Sequence, residues 1–271
     1  MEKLKKKSFP VRYLLIVAAV IAVIIILLIV FSHGSSNISK LQIDNGVAFI
    51  KNEEEQDVSD IEKAIFAASK EKLLAEIDDK LEEDPEYVWT ALDQINTVIM
   101  GDSRAVAFSS YGFMDESKVL ADGGQSLKII TSHYEELQVA NPNLIVLAYG
   151  LNDINWYWFS PEEFAEEMMG YVDEIQAMLP DAYIYIQSIL PANAEGELQY
   201  PNAYPYAREW NEAEMEIYKA NGYRVMEISW LVDEYPEYYG DDGVHFYPGF
   251  YYYWADAILK TYLADTMEVD D

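Results

Sequence analysis

The chain contains no cysteine. Disulfides cannot brace it and a lipidated cysteine cannot anchor it, so the fold must rest on its buried core. Histidine is nearly as scarce: His33, His133 and His245 are the full set, too dispersed to supply zinc ligands near any one motif. Basic residues are few as well, with 18 Lys and Arg against 48 Asp and Glu and a formal net charge of −30. Setting aside the first twelve residues, which hold five basic and one acidic, leaves 13 against 47, a net of −34. So acidic a body argues against nucleic acid, anionic lipid headgroups and other polyanions as partners. Its carboxylates, such as Glu53-Glu54-Glu55 and Asp78-Asp79, read as solvated surface, and no loop has the spacing of a calcium site. Internal repeats are absent too.

What is present begins with a charge-free run. Lys3, Lys5, Lys6, Lys7 and Arg12 precede Tyr13 to Phe31, nineteen uncharged residues, close to the ~20 apolar residues that cross a bilayer. A cleaved signal peptide has a shorter apolar core, about 7–15 residues, and a small-x-small site; Ile29-Val30-Phe31-Ser32-His33 offers none. These features predict a basic cytoplasmic segment over residues 1–12 and an uncleaved membrane anchor over residues 13–31. Everything after Phe31 is then outside, with the lipid bilayer as a partner. Residues 32–56 read as a linker, with a small hairpin around Asp44-Asn45-Gly46. Residues 57–96 read as a helical stalk or as a segment packed on the C-terminal domain. Their apolar positions Ile61, Ile65, Ala68, Leu74, Ile77 and Leu81 keep helical spacing, and the helix stops before Pro85.

From Thr97 onward, strand and helix patterns alternate. Strands are expected at Thr97–Met100, Lys118–Ala121, Leu144–Tyr149, Tyr183–Ser188 and Tyr223–Ile228. Helices are expected near Ala105–Tyr111, Ser126–Gln138, Pro161–Leu179, Tyr204–Asn221 and Pro248–Leu263. Ser160-Pro161-Glu162-Glu163 is a capped helix start, and Asn221-Gly222 a stop. Such alternation predicts an α/β domain over residues 97–271, with a parallel sheet covered on both faces.

The chemistry centres on Val98-Ile99-Met100-Gly101-Asp102-Ser103-Arg104-Ala105. An apolar strand stops at a glycine, and a serine follows at the start of a helix, where open α/β sheets place their ligand sites. There the serine N–H can bind a developing oxyanion. A serine hydroxyl needs a base to take its proton. His33 lies in the linker, and His133 sits mid-helix where a structural histidine is expected. His245 has Asp242 three residues earlier, a spacing that lets the carboxylate fold back on Nδ1–H and leaves Nε2 to face Ser103. The neighbouring Asp241 reads as a solvated carboxylate. An α/β-hydrolase elbow, Gly-x-Ser-x-Gly, fails at Ala105, and no pair of carboxylates is singled out as a glycosidase would require.

Gly101-Asp102-Ser103, Asp122-Gly123-Gly124-Gln125-Ser126, Gly150-Leu151-Asn152-Asp153 and Asp242-Gly243-Val244-His245, in that order, resemble the four blocks of the SGNH (GDSL-type) hydrolases. The resemblance runs from about Thr97 to the C-terminus. It implies a three-layer α/β/α flavodoxin-like fold with a five-stranded parallel sheet, and it implies no metal or organic cofactor. It also implies Ser103 as nucleophile, His245 as base and Asp242 as the partner that orients it, since the family block is Asp-x-x-His. The oxyanion hole would comprise the Ser103 N–H, a glycine N–H and the Asn152 side-chain amide. Of Gly123 and Gly124 the second is preferred, because the family glycine directly precedes the polar residues opening the next helix. Asp153 would cap local backbone donors. Without the resemblance, Gly123-Gly124 and Asn152 are also consistent with a plain turn and its cap.

Two aromatic clusters follow the last two blocks: Asn155-Trp156-Tyr157-Trp158-Phe159 and Tyr247-Pro248-Gly249-Phe250-Tyr251-Tyr252-Tyr253-Trp254. They suit sugar rings and core packing equally, and make Trp156 and Tyr247 candidates for substrate contact. Arg104 would bind a substrate anion or pair with a local acid. The expected protein is a membrane-anchored extracellular serine esterase that removes O-acyl groups, acetyl above all, from a glycan, with acylated carbohydrate or another small ester as substrate. A glycan O-acyltransferase using the same acyl-serine, or a non-catalytic surface binding protein, are the alternatives. Nothing in the sequence speaks to oligomeric state.

Overall fold

In the computed structural model, the described residues are 58–158 and 160–266. The anchor, the linker with its hairpin, and His33 therefore lie outside the described residues. Among those described, no helix is long and apolar enough to cross a membrane. The chain divides into two units, Met1–Phe66 and Ala67–Asp271, and the second holds the site.

A long helix, α1 (Val58–Glu83), is followed by α2 (Tyr87–Ile95), which ends at Asn96 in the left-handed conformation (φ 63°). That turn feeds β1 (Thr97–Gly101), buried along its whole length. The strands after it are β2 (Val119–Ala121), β3 (Leu144–Ala148), β4 (Tyr183–Gln187) and β5 (Val225–Met226). All neighbours pair in parallel in the order β2-β1-β3-β4-β5. β1 thus lies inside the sheet, and the chain winds outward from it in both directions, so helices cover both faces.

Side chains leave β1 alternately. Val98 and Met100 join one core with Ile145, Leu147 and Ile184, covered by α5 (Pro161–Met178) and α7 (Ala207–Ala220). Ile99 joins the other core with Val146 and Tyr185. That face is covered by α2, by α3 (Ser103–Ser110) and by α9 (Phe250–Thr266). Ile77 of α1 and Val88, Trp89 and Leu92 of α2 belong to this second core, so this part of residues 57–96 packs on the sheet.

Several boundaries differ from expectation for visible reasons. The expected Ser126–Gln138 helix is a 3-10 helix, Leu127–His133, followed by α4 (Tyr134–Ala140). The expected Tyr204–Asn221 helix opens with a 3-10 turn over Tyr204–Tyr206 and becomes α7 only at Ala207. β5 spans two residues instead of Tyr223–Ile228: before it the Tyr223 N–H is held by the Tyr218 carbonyl of α7 at 3.0 Å, and beyond it the N–H groups of Ile228 and Ser229 donate to the Ser188 hydroxyl at 3.0 and 2.9 Å. Unforeseen were α6 (Ala194–Gln199) after β4 and α8 (Leu231–Glu234) after β5.

Candidate active site

Parallel strands place all their carboxyl ends on one edge of the sheet, and the four motif loops meet there. At the end of β1, a Cβ on Gly101 would lie 2.7 Å from the Ala148 carbonyl oxygen and 2.8 Å from the Ala105 Cβ. Glycine is therefore what lets the turn into α3 press against β3. Asp102 is extended (φ −94°, ψ −164°) and caps α3 by accepting the Arg104 N–H at 3.0 Å. The cap starts the helix at Ser103, two residues earlier than expected, and puts the Ser103 N–H among the helix donors that have no partner inside the helix.

Ser103 Oγ lies 2.8 Å from His245 Nε2, and His245 Nδ1 lies 2.6 Å from Asp242 Oδ2. The other Asp242 oxygen accepts the backbone N–H groups of Val244 and His245, both at 2.9 Å. Burial pushes the Asp242 carboxyl up, but these hydrogen bonds outweigh it and hold the group at about 2. An ionised carboxylate can only accept, so the imidazole proton sits on Nδ1 and Nε2 is free to accept from the serine hydroxyl. Asp241 is exposed and accepts the Tyr247 hydroxyl at 2.9 Å.

A cavity of about 230 Å³ adjoins Ser103, with Gly124, Asn152, Asp242 and His245 in its lining. Gly124 has φ +69°, a conformation that favours glycine, and Gly123 has no positive φ. Asn152 Nδ2 donates to the Gln125 carbonyl at 3.0 Å, which fixes the amide and leaves its second N–H for a ligand. Gly150, at φ +128°, has no room for a Cβ, which would lie 2.4 Å from Ile189 Cγ1. Asp153 is buried and accepts the Leu127 N–H at 2.9 Å, a donor on the second motif loop and not one of its local backbone donors. Burial pushes its carboxyl up to about 7 despite that hydrogen bond.

The three residues expected near the substrate lie in different settings. Arg104 is turned inward: it is buried, donates to Asp102 from Nε (3.2 Å) and Nη2 (2.9 Å), and donates from Nη1 to the Leu190 carbonyl at 2.5 Å. Burial disfavours its charge, yet Asp102 more than compensates and the guanidinium pKa lies above its ordinary value. It thus takes the second of its two expected roles, pairing with a local acid, while it also borders the cavity beside Ser103. Trp156 and Tyr247 are exposed and outside the cavity lining, Trp156 standing edge-on against Tyr200, which is part of it. Tyr200 and Tyr204, which do line it, belong to no motif: one ends α6, a helix too short to carry a periodic pattern, and the other opens the 3-10 turn before α7. His133 pairs with Asp122, Nε2 to Oδ2 at 2.9 Å, away from the serine.

Among the described residues, no group of three or more His, Cys, Asp or Glu is placed to hold a metal. A parallel α/β sheet with serine, histidine and aspartate at its carboxyl edge has the build of a serine hydrolase. The chain belongs to the GDSL-like Lipase/Acylhydrolase family, whose model matches residues 106–251, and is an acylhydrolase of the esterase and lipase kind. The match starts just past Ser103 and takes in Gly124, Asn152, Asp242 and His245. Similar solved structures include the lipase/acylhydrolase from Enterococcus faecalis, with 16% identity over 63% of this chain and 96% of that one (TM-score 0.46). A GDSL-like lipase from Bacteroides thetaiotaomicron has 16% identity over 66% and 97% (TM-score 0.46). An acetyl xylan esterase has 15% identity over 64% and 98% (TM-score 0.39). Likeness at this level assigns no substrate. No curated protein matches the chain by sequence.

Proposed function

We propose that the protein is a serine esterase that removes O-acyl groups, acetyl above all, from a glycan outside the cell, held to the membrane by residues 13–31. The observation that carries this reading is the unbroken relay from Ser103 Oγ through His245 to Asp242, at 2.8 and 2.6 Å, beside Asn152 and Gly124. Ser103 Oγ attacks the ester carbonyl carbon while its proton passes to His245 Nε2, and Asp242 steadies the imidazolium. The carbonyl oxygen takes the negative charge and faces the Ser103 and Gly124 N–H groups and the second Asn152 N–H. The C–O bond to the sugar then breaks, and the departing oxygen takes the proton from Nε2. Water repeats the sequence on the acyl-serine, releasing the carboxylic acid and restoring Ser103.

The small cavity favours a short acyl group. About 230 Å³ is below the ~300–1,000 Å³ of sites that enclose larger ligands. The anchor and the outside location rest on the basic cluster before an uncharged run of nineteen residues.

Release of nitrophenol from p-nitrophenyl acetate, then of acetate from acetylated oligosaccharides, tests the reading. Wild type should act on both, and Ser103→Ala on neither. A Ser103→Ala variant as fast as wild type would remove the serine mechanism, and failure on every acetylated glycan would remove the substrate. A sugar acceptor that diverts the acetyl group from water would instead favour the transferase.

A further inference from the structure

We infer that residues 193–204 form a strap that binds the alcohol half of the ester and couples its binding to the alignment of the two catalytic loops. The inference rests on the esterase reading above, and it concerns residues that the four motifs do not include.

One end of the strap is tied to the loop of Asp242. The Asn193 N–H donates to the Gly243 carbonyl at 2.9 Å, and Gln199 Nε2 donates to the Asp242 carbonyl at 2.5 Å. Between these bonds the backbones nearly touch. A Cβ on Gly196 would lie 2.5 Å from the Gly243 carbonyl oxygen, and a Cβ on Gly243 would lie 2.0 Å from Asn193 Oδ1. The other end is tied to the loop of Asn152. Asn155 Nδ2 donates to the Asn202 carbonyl at 2.6 Å, and the Tyr204 hydroxyl reaches Asn152 Oδ1 at 3.5 Å.

The strap therefore bridges the acid–base side of the site and the oxyanion side, and Gln199, Tyr200 and Tyr204 line the cavity between them. The Tyr200 ring lies 4.7 Å from that of Tyr204 and 5.5 Å, edge-on, from Trp156. Trp156 is 59% exposed and Tyr200 39%, so this aromatic wall is open to a ligand. Reaction geometry sets which half of the ester meets it. With the carbonyl oxygen towards Gly124 and Asn152, the departing oxygen must face His245 Nε2 to receive its proton. That is the side on which Gln199 holds the Asp242 loop. A ring on the departing alcohol can then rest against Tyr200 and Trp156, as sugar rings suit aromatic faces with polar edges. Gln199 acts as a positioning residue: it touches the backbone of Asp242 and no reacting atom.

Two acetates separate these roles, p-nitrophenyl acetate with a ring on the alcohol and 2,2,2-trifluoroethyl acetate without one. Because each variant is compared with wild type on the same ester, intrinsic reactivity cancels. Tyr200→Ala should lower kcat/KM for the ring ester by about tenfold, the scale of one lost ring contact, and leave the trifluoroethyl ester within about twofold. Gln199→Ala and Gln199→Glu, which both remove the donor to Asp242, should lower kcat on both esters by about tenfold with KM and melting temperature little changed. Equal losses on both esters in Tyr200→Ala would overturn the alcohol subsite. Unchanged kcat in both Gln199 variants would overturn the coupling. If Ser103→Ala hydrolyses both esters as fast as wild type, the esterase reading fails and the strap's role with it. If activity depends on Ser103 but the Tyr200 and Gln199 variants match wild type, the strap alone fails.

Discussion

Asp153→Asn probes a buried charge placed immediately after Asn152. Asp153 Oδ1 accepts the Leu127 N–H at 2.9 Å, and among the described residues Oδ2 has no hydrogen-bond partner. Glu214 on α7 is buried nearby, with an unpartnered Oε2 of its own; burial, then the charge of Asp153, raises its pKa well above the ordinary value. Burial likewise raises Asp153 from 3.8 to about 7. The folded pKa therefore exceeds the unfolded one, and between them the folded state binds more protons. Stability consequently falls as pH rises from ~4 through ~7, and the whole penalty is present above that. At ~1.36 kcal/mol per tenfold, the rise corresponds to about 4 kcal/mol. Asparagine keeps the acceptor for Leu127 and cannot ionise. Urea unfolding followed by tryptophan fluorescence at pH 4, 6 and 8 reads the difference. The variant should be more stable than wild type by about 2–4 kcal/mol at pH 8 and within about 1 kcal/mol at pH 4. Asp242 does not intrude: its carboxyl is depressed to about 2, so the stability it contributes is lost only as pH falls towards that value. If the two proteins keep a constant offset from pH 4 to 8, Asp153 is not the buried acid described.

Asn152→Ala removes the proposed oxyanion donor and should depress kcat by about 10²–10³ with KM little changed; a loss of stability with turnover retained would make Asn152 only the Gln125 tether seen in the structure. Arg104→Met leaves Asp102 as a buried, unpaired carboxylate and should cost about 3–5 kcal/mol of stability, read by urea unfolding. Much of that loss should return in Asp102→Asn/Arg104→Met, and failure to return would count against the ion pair as the cause. Protease added to intact cells should cut between Ser32 and Asp57 and release an active fragment; a domain protected until the cells are lysed would reverse the proposed orientation.

Much of the sheet was legible because its strands are short, buried and rich in β-branched or large apolar residues: Val98-Ile99-Met100 and Leu144-Ile145-Val146-Leu147 have no competing helical reading. Tertiary bonds that local sequence does not encode settled the edges. β5 stops where the Ser188 hydroxyl takes the next N–H groups; the early start of α3, by contrast, is a local Asp102 cap. In the site, residues carried by motifs converge on one cavity, since loops after parallel strands share an edge. The pairing of Arg104 with Asp102 and Leu190 depends on burial that no motif reports. Tyr200 reaches the cavity from the end of α6, whose place is set by Gly196 and Gly243, two glycines in close contact far apart in sequence, and Tyr204 follows in the 3-10 turn.

The separation of 142 residues from Ser103 to His245 also sets an order on synthesis. Ser103 leaves the ribosome before β2 and β3, the strands that pair with β1, have been made. Its imidazole arrives only after α7 and β5 have been made. His133, which emerges in between, is engaged with Asp122 in the finished fold. The strap waits too, because Asn193 and Gln199 have nothing to hold until Asp242 and Gly243 arrive. A nascent chain therefore carries Ser103 without its imidazole over 142 residues of synthesis, and the relay closes only once His245 has emerged.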